Sequence, residues 1–81
     1  MTRQELLDFA NQFSDTVQDK GKVTALWREI NGEEEQVPLP EGVEGYLDEH
    51  PEGADRGGYV PVLVSGKAQI YLTAEGDWEA Y

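Results

Sequence analysis

Ten carboxylates lie between Glu29 and Asp55: Glu29, Glu33, Glu34, Glu35, Glu41, Glu44, Asp48, Glu49, Glu52 and Asp55. No Lys or Arg falls inside this stretch, and Arg28 and Arg56 stand at its two ends. Carboxylates at such density could serve three kinds of chemistry. Paired carboxylates can run general acid–base catalysis when a pocket drives their pKa values apart. A cluster of oxygen and imidazole donors can hold a metal ion. A fixed array of negative charge can bind a basic surface.

The first two fit the residues poorly. Short Gly-rich loops on a small domain do not suggest a catalytic pocket. There is one histidine, His50, and no cysteine, and neither Ser14 nor Ser65 has the context of a nucleophile elbow. An enzyme is not expected, and neither is a cofactor. Asp48, Glu49, His50, Glu52 and Asp55 are close enough in sequence to offer metal donors, but they lack the fixed Gly and terminal Glu of an EF-hand loop. A solvated acidic loop is the simpler reading. No phosphate-binding GxxxxGK motif occurs, and the few bases are scattered, so direct nucleic-acid binding is not expected.

Charge leaves the third kind. Seventeen acids against six bases, over 81 residues, give a formal net charge of −11. Such a surface repels nucleic acid and anionic membranes and attracts basic partners at salt-dependent rates. The competing reading is acidity for solubility or salt tolerance, which the scarcity of lysine (Lys20, Lys22, Lys67) fits. Without cysteine there is no disulfide framework. No apolar h-region follows the N-terminus, where Glu5 and Asp8 fall, and no run approaches the ~20 apolar residues of a membrane span. A cytoplasmic location is expected.

The elements that would position these acids can be read in order. Thr2 to Glu5 has capping-box spacing. Leu6, Phe9, Ala10, Phe13 and Val17 recur at helical spacing, which predicts an amphipathic helix over 2–20 stopped by Lys20-Gly21. Glu5, Asp8, Gln12, Asp15 and Asp19 would form an acidic stripe on it. Residues 23–30 read as a strand. Asn31-Gly32 is a type I′ hairpin signal, and 33–39 reads as the return strand. A two-residue loop places Ile30 opposite Glu33, Arg28 opposite Glu35, Leu26 opposite Val37 and Thr24 opposite Leu39. Arg28–Glu35 is then a favourable pair, and Glu29–Glu34 an unfavourable one with no visible structural return. Pro38 and Pro40 confine the return strand to a short or edge position, where glutamates also block edge-to-edge pairing.

Residues 41–50 are ambiguous. Pro40 can open a short helix that Gly42 and Gly45 weaken. Residues 51–58 read as a loop, so Glu41–Asp55 is expected as a lightly held excursion anchored by Val43, Tyr46 and Leu47. Strands at 59–65 and 67–73 flank a Gly66 turn, and 78–81 is a short final strand. Tyr59, Pro61 and Leu63 share a face with Ala68, Ile70 and Leu72. Val60, Val62, Val64 and Tyr71 form a second face too apolar to be bare, which needs either cover or a partner. Pro61 suggests an edge strand or a strand start.

The expectation is one α+β domain over 1–81. An N-terminal amphipathic helix packs on an antiparallel sheet of about five short strands: hairpin, acidic excursion and three-stranded meander. In charge and size the chain resembles the small acidic inhibitors encoded by phages and other mobile elements, some of which occupy the nucleic-acid groove of a defence enzyme. That resemblance implies an anti-CRISPR or anti-restriction type of inhibitor, acting as a nucleic-acid mimic in the host cytoplasm. The residues agree with an acidic protein that engages a Lys/Arg-rich groove of a nucleic-acid-binding protein. Glu29, Glu33, Glu34, Glu35, Glu41, Glu44, Tyr46, Asp48 and Glu49 are the candidate contacts. The alternatives are a structural or assembly protein that forms a homodimer through the apolar meander face, and an immunity or antitoxin-like protein that neutralises a basic toxin.

Overall fold

The structure, a computed structural model, describes residues 1–51 and 58–81. It is an α+β fold with one short helix, α1 (Arg3–Ala10), and an antiparallel sheet. The strands are β1 (Asp15–Asp19), β2 (Lys22–Ile30), β3 (Glu33–Pro38), β4 (Glu44–Glu49), β5 (Tyr59–Ser65), β6 (Ala68–Leu72) and β7 (Trp78–Ala80). The sheet thus has seven strands where the sequence pattern suggested about five. Its order is β1-β2-β4-β5-β6-β7, with β3 also paired to β2.

The expected capping box is present. The Thr2 hydroxyl accepts from the Glu5 amide at 3.1 Å, and the Thr2 amide donates to the Glu5 carboxylate at 2.9 Å. These bonds, the backbone one first, hold the Glu5 carboxyl below its usual value. The helix ends far earlier than the expected residue 20. Asn11, Ser14, Asp15, Thr16 and Val17 are weak helix formers, and summed they lose to sheet pairing. Lys20-Gly21 is therefore no helix stop. Both residues have positive φ, 53° and 78°, and form the two-residue turn of a β1–β2 hairpin. Asn31-Gly32 repeats the geometry at 53° and 81° and joins β2 to β3. The acidic stripe of the expected long helix is divided between α1, its C-terminal loop and β1.

The β2–β3 register is the one set by the two-residue loop, from Ile30↔Glu33 through Arg28↔Glu35 to Leu26↔Val37. Pairing stops at Ala25↔Pro38, so Thr24 and Leu39 do not pair. Thr24 instead marks a β-bulge: Val17 pairs with Ala25 and Gln18 with Val23, leaving Thr24 as the extra residue. Its hydroxyl donates to the Val17 carbonyl at 3.3 Å. The bulge shifts the side-chain alternation by one, so Val23 and Leu26 both point into the core. Past it, β2 exchanges partners and pairs through Lys22 with Tyr46 of β4.

Residues 41–50 form neither a helix nor a loose excursion. Their core is β4, paired over its whole length with β5 from Glu44↔Val64 to Glu49↔Tyr59. Cross-strand pairing to the apolar β5 outweighs the weak helix signal. Pro61 is buried in a strand interior rather than at an edge. Pairing of β5 with β6 runs only from Val62↔Tyr71 to Ser65↔Ala68, so the missing proline donor falls beyond that ladder. Of the loop expected at 51–58, residues 52–57 lie outside the described residues.

The main core joins Leu6 and Ala10 of α1 and Phe13 to Val23, Leu26, Val43, Leu63, Ala68, Ile70, Leu72 and Trp78. Asn11 ties the helix end to β7: its carboxamide accepts from the Trp78 amide at 2.9 Å and donates to the Trp78 carbonyl at 3.4 Å. The Trp78 indole donates to the Phe13 carbonyl at 3.3 Å. A second cluster forms on the opposite face from Val60, Val62 and Tyr71, with Tyr46 and Val64 packed against it.

Strand β4 crosses β2 at Gly45, where an added Cβ would lie 2.6 Å from the Val23 Cβ and 3.0 Å from its carbonyl oxygen. Both neighbours sit on or beside backbone and cannot swing away. Gly45→Ala is expected to destabilise the fold by about 1–3 kcal/mol through overpacking. Chemical denaturation of the two proteins measures it, and an unchanged midpoint would refute the close crossing.

Candidate functional site

The sheet distributes the candidate acids over two faces. Cross-strand partners share a face, so the register sorts them. Glu29 and Glu34 lie on the outer side of the β2–β3 hairpin, away from Leu26 and Val37. Glu44, Tyr46 and Asp48 lie opposite Val64, Val62 and Val60 and so share the face of the second cluster. Lys22↔Tyr46 makes these two groups parts of one continuous sheet face. Glu33 and Glu35 point to the other side, beyond the end of the core, and Glu49 also alternates away from Asp48. Glu41 sits in the turn before β4. The candidates therefore do not converge on one point. Glu52 and Asp55 lie outside the described residues.

Arg28 bonds Glu35 in the manner foreseen from the register. Its guanidinium donates to both carboxylate oxygens at 3.1–3.2 Å and lies 5.1 Å from the centre of the Phe13 ring. It is the one side-chain ion pair among the described residues. Both partners are partly open to water, so the pair adds at most about 1 kcal/mol. The consequence for binding is larger than for stability: Glu35 is already engaged, and the Glu33–Glu35 row reduces to Glu33 on that face.

The β4 residues are held by aromatic side chains. Tyr46 is half-buried against the second cluster, and its hydroxyl accepts from Gln69 at 2.7 Å. The Tyr81 hydroxyl donates to Asp48 at 2.8 Å, and that of Tyr59 donates to Glu49 at 3.4 Å. His50 stacks on Tyr71 at 4.2 Å, and Tyr81 meets both rings edge-on at 5.2 Å and 5.9 Å. This His50–Tyr71–Tyr81 group was not foreseen as a unit, because it depends on which strands adjoin. The apolar meander face is now accounted for as well. Val60 and Val62 are fully buried and Tyr71 nearly so, which leaves only Tyr46 and Val64 half-exposed there.

Glu41 and Glu44 line a cleft of about 530 Å³ whose apolar wall is Val43 and Val64. Among the described residues no group of three or more His, Cys, Asp or Glu side chains is arranged to hold a metal ion. No described helix is long and apolar enough to cross a membrane. No protein-family model matches the chain, no curated protein matches it in sequence, and no solved structure matches its fold.

Trp27 is a surface residue that sequence reading passed over. It lies on the outer face of β2, directly opposite Gln36 on one side and Asp15 on the other. The register set by the Asn31-Gly32 turn places it on the Glu29 face, which is the signal that could have found it.

The Tyr81–Asp48 bond makes a prediction about pH. That bond, then local desolvation, holds the Tyr81 hydroxyl above its ordinary value of 10.0. A raised folded-state pKa means a contribution that is intact below the unfolded value and lost as pH rises through the folded one. Phenolate absorbance should show the Tyr81 hydroxyl titrating late. Asp48→Asn should bring it back toward the ordinary range, and Tyr81→Phe should remove it. A titration indifferent to Asp48→Asn would break the assignment.

Proposed function

We propose that the protein acts by binding, presenting its carboxylates to a Lys/Arg-rich groove of a nucleic-acid-binding protein and competing there with nucleic acid. One observation carries this reading. A chain of net charge −11 exposes its acids on rigid strands, and one ion pair among the described residues neutralises any of them. A groove built to neutralise phosphates attracts any dense array of fixed negative charge. Acids held on a sheet lose less conformational freedom on binding than acids on a tail.

The geometry ranks the candidate contacts. Glu29, Glu33 and Glu34, on the projecting hairpin, and Glu41 and Glu44, at the start of β4, are exposed. Asp48, Glu49 and Tyr46 serve the sheet's own aromatic packing, and Glu35 serves Arg28. The first group is assigned to the partner and the second to the scaffold. An inhibitor of a phage-encoded kind is the form of this function that fits the chain's size and charge.

The test is to isolate the partner by affinity purification from the native host and measure association over a salt series. Duplex DNA or RNA should displace the protein from it. Reversal of Glu29, Glu33 and Glu34 to Lys should slow association by roughly tenfold or more at low salt and flatten the salt dependence. Unchanged rates, or a partner that binds nucleic acid and this protein together, would refute the reading.

A further inference from the structure

Among the described residues Trp27 belongs to neither core cluster, nor to the side chains packed against them. Its indole N–H has no hydrogen-bond partner there, and it is not sealed from water, since no described side-chain N or O atom is both buried and unsatisfied. The other tryptophan, Trp78, is buried and hydrogen-bonded. A half-exposed indole is thus held on a sheet face with no internal task among the described residues.

Its surroundings are acidic. Asp15 lies directly across from it on β1, and Glu29 is the next same-face residue on β2, paired with Glu34. In a hairpin with a two-residue loop the flanking pair Ile30↔Glu33 exchanges hydrogen bonds, so Glu29↔Glu34 is a non-hydrogen-bonded pair, the closer kind. Two like charges are therefore held at the shortest cross-strand separation, about 4.5 Å between Cα atoms, and among the described residues no cation is bonded to either. Val17, Ala25 and Pro38 complete the patch with apolar surface on the same face.

We propose that this face is the docking site for an arginine side chain carried on the partner's basic surface. The inference rests on the binding function proposed above and names its specific contact. A guanidinium stacks flat on an indole within about 6 Å of its centre and leaves its N–H groups at the rim, facing carboxylates. Here the rim carries Asp15 on one side and Glu29 and Glu34 on the other. An ammonium is more strongly hydrated and cannot stack or fork between two carboxylates, so arginine is preferred over lysine. The unfavourable Glu29–Glu34 pair then has a function: its repulsion is relieved only when a cation enters.

The experiment titrates the full chain with octa-arginine and, separately, octa-lysine, at low and physiological salt, by calorimetry and by indole fluorescence. Octa-arginine should bind severalfold more tightly and quench the exposed Trp27 while buried Trp78 is unaffected. Trp27→Ala should weaken octa-arginine binding roughly tenfold and erase the arginine preference; Trp27→Phe, which keeps a ring and the strand, should retain most of both. Glu29→Gln with Glu34→Gln should weaken both peptides. Binding without quenching in the unaltered protein, or equal binding by Trp27→Phe and Trp27→Ala variants that melt like it, overturns the Trp27 site while leaving the acidic-surface function standing. Failure of the unaltered protein to bind either peptide at low salt overturns both.

Discussion

The fold depends on one interruption of strand periodicity. A strand alternates its side chains strictly, so β2 alone could not send both Val23 and Leu26 inward. The extra residue at Thr24 makes this possible and bends the strand. The bend also lets one strand serve three partners: β1 along most of its length, β3 over its C-terminal part and β4 at Lys22. Without it the hairpin and the β4–β7 meander would share no sheet, and the core built from α1, β2 and β6 would lose a wall. Gly45 is the complementary concession on β4, since only a residue without a side chain lets that strand approach Val23 so closely.

Much of this was legible in the sequence where local rules decide the outcome. The Asn31-Gly32 turn determined the β2–β3 register, Arg28–Glu35 included, because a two-residue loop leaves no freedom. The two faces of the meander followed from its alternation. Other features were not legible. Lys20-Gly21 satisfies a helix stop and a hairpin turn equally, since both need a positive φ. Leu6, Phe9, Ala10, Phe13 and Val17 match helical spacing, yet Phe13 reaches the core from a loop and Val17 lies on the outer face of the sheet, opposite Ala25. The bulge at Thr24 was hidden because it lies in the pairing of β2 with β1, a segment whose apolar spacing is helical. The candidate acids were legible as residues but not as a surface, because sorting them by face required the pairing of β4 with β5.

The arrangement separates two duties that composition merges. Asp48 and Glu49 of β4 are engaged by tyrosine hydroxyls, Asp48 on the face of the second cluster and Glu49 on the other. Acids on the β2–β3 hairpin project past the core and contribute little to it. Removing charge from the hairpin should therefore be tolerated by the fold, whereas Asp48 and Glu49 of β4 are coupled to packing. That division lets a small domain with a modest core carry a large net charge: repulsion is concentrated where the chain has least packing to disrupt.

The Asn11–Trp78 clasp joins residues 67 apart in the chain. Most other contacts are between successive strands, and two tight turns make β1, β2 and β3 a quickly assembled unit. The clasp is different: it closes a loop of most of the chain and brings the helix-end wall of the core into place. Folding on the ribosome must therefore wait. The early strands can zip together while synthesis continues, but the cover that β6 and β7 give to Leu6, Ala10 and Phe13 comes only from the last part of the chain, so the nascent chain passes through a stage with much of its apolar helix face bare.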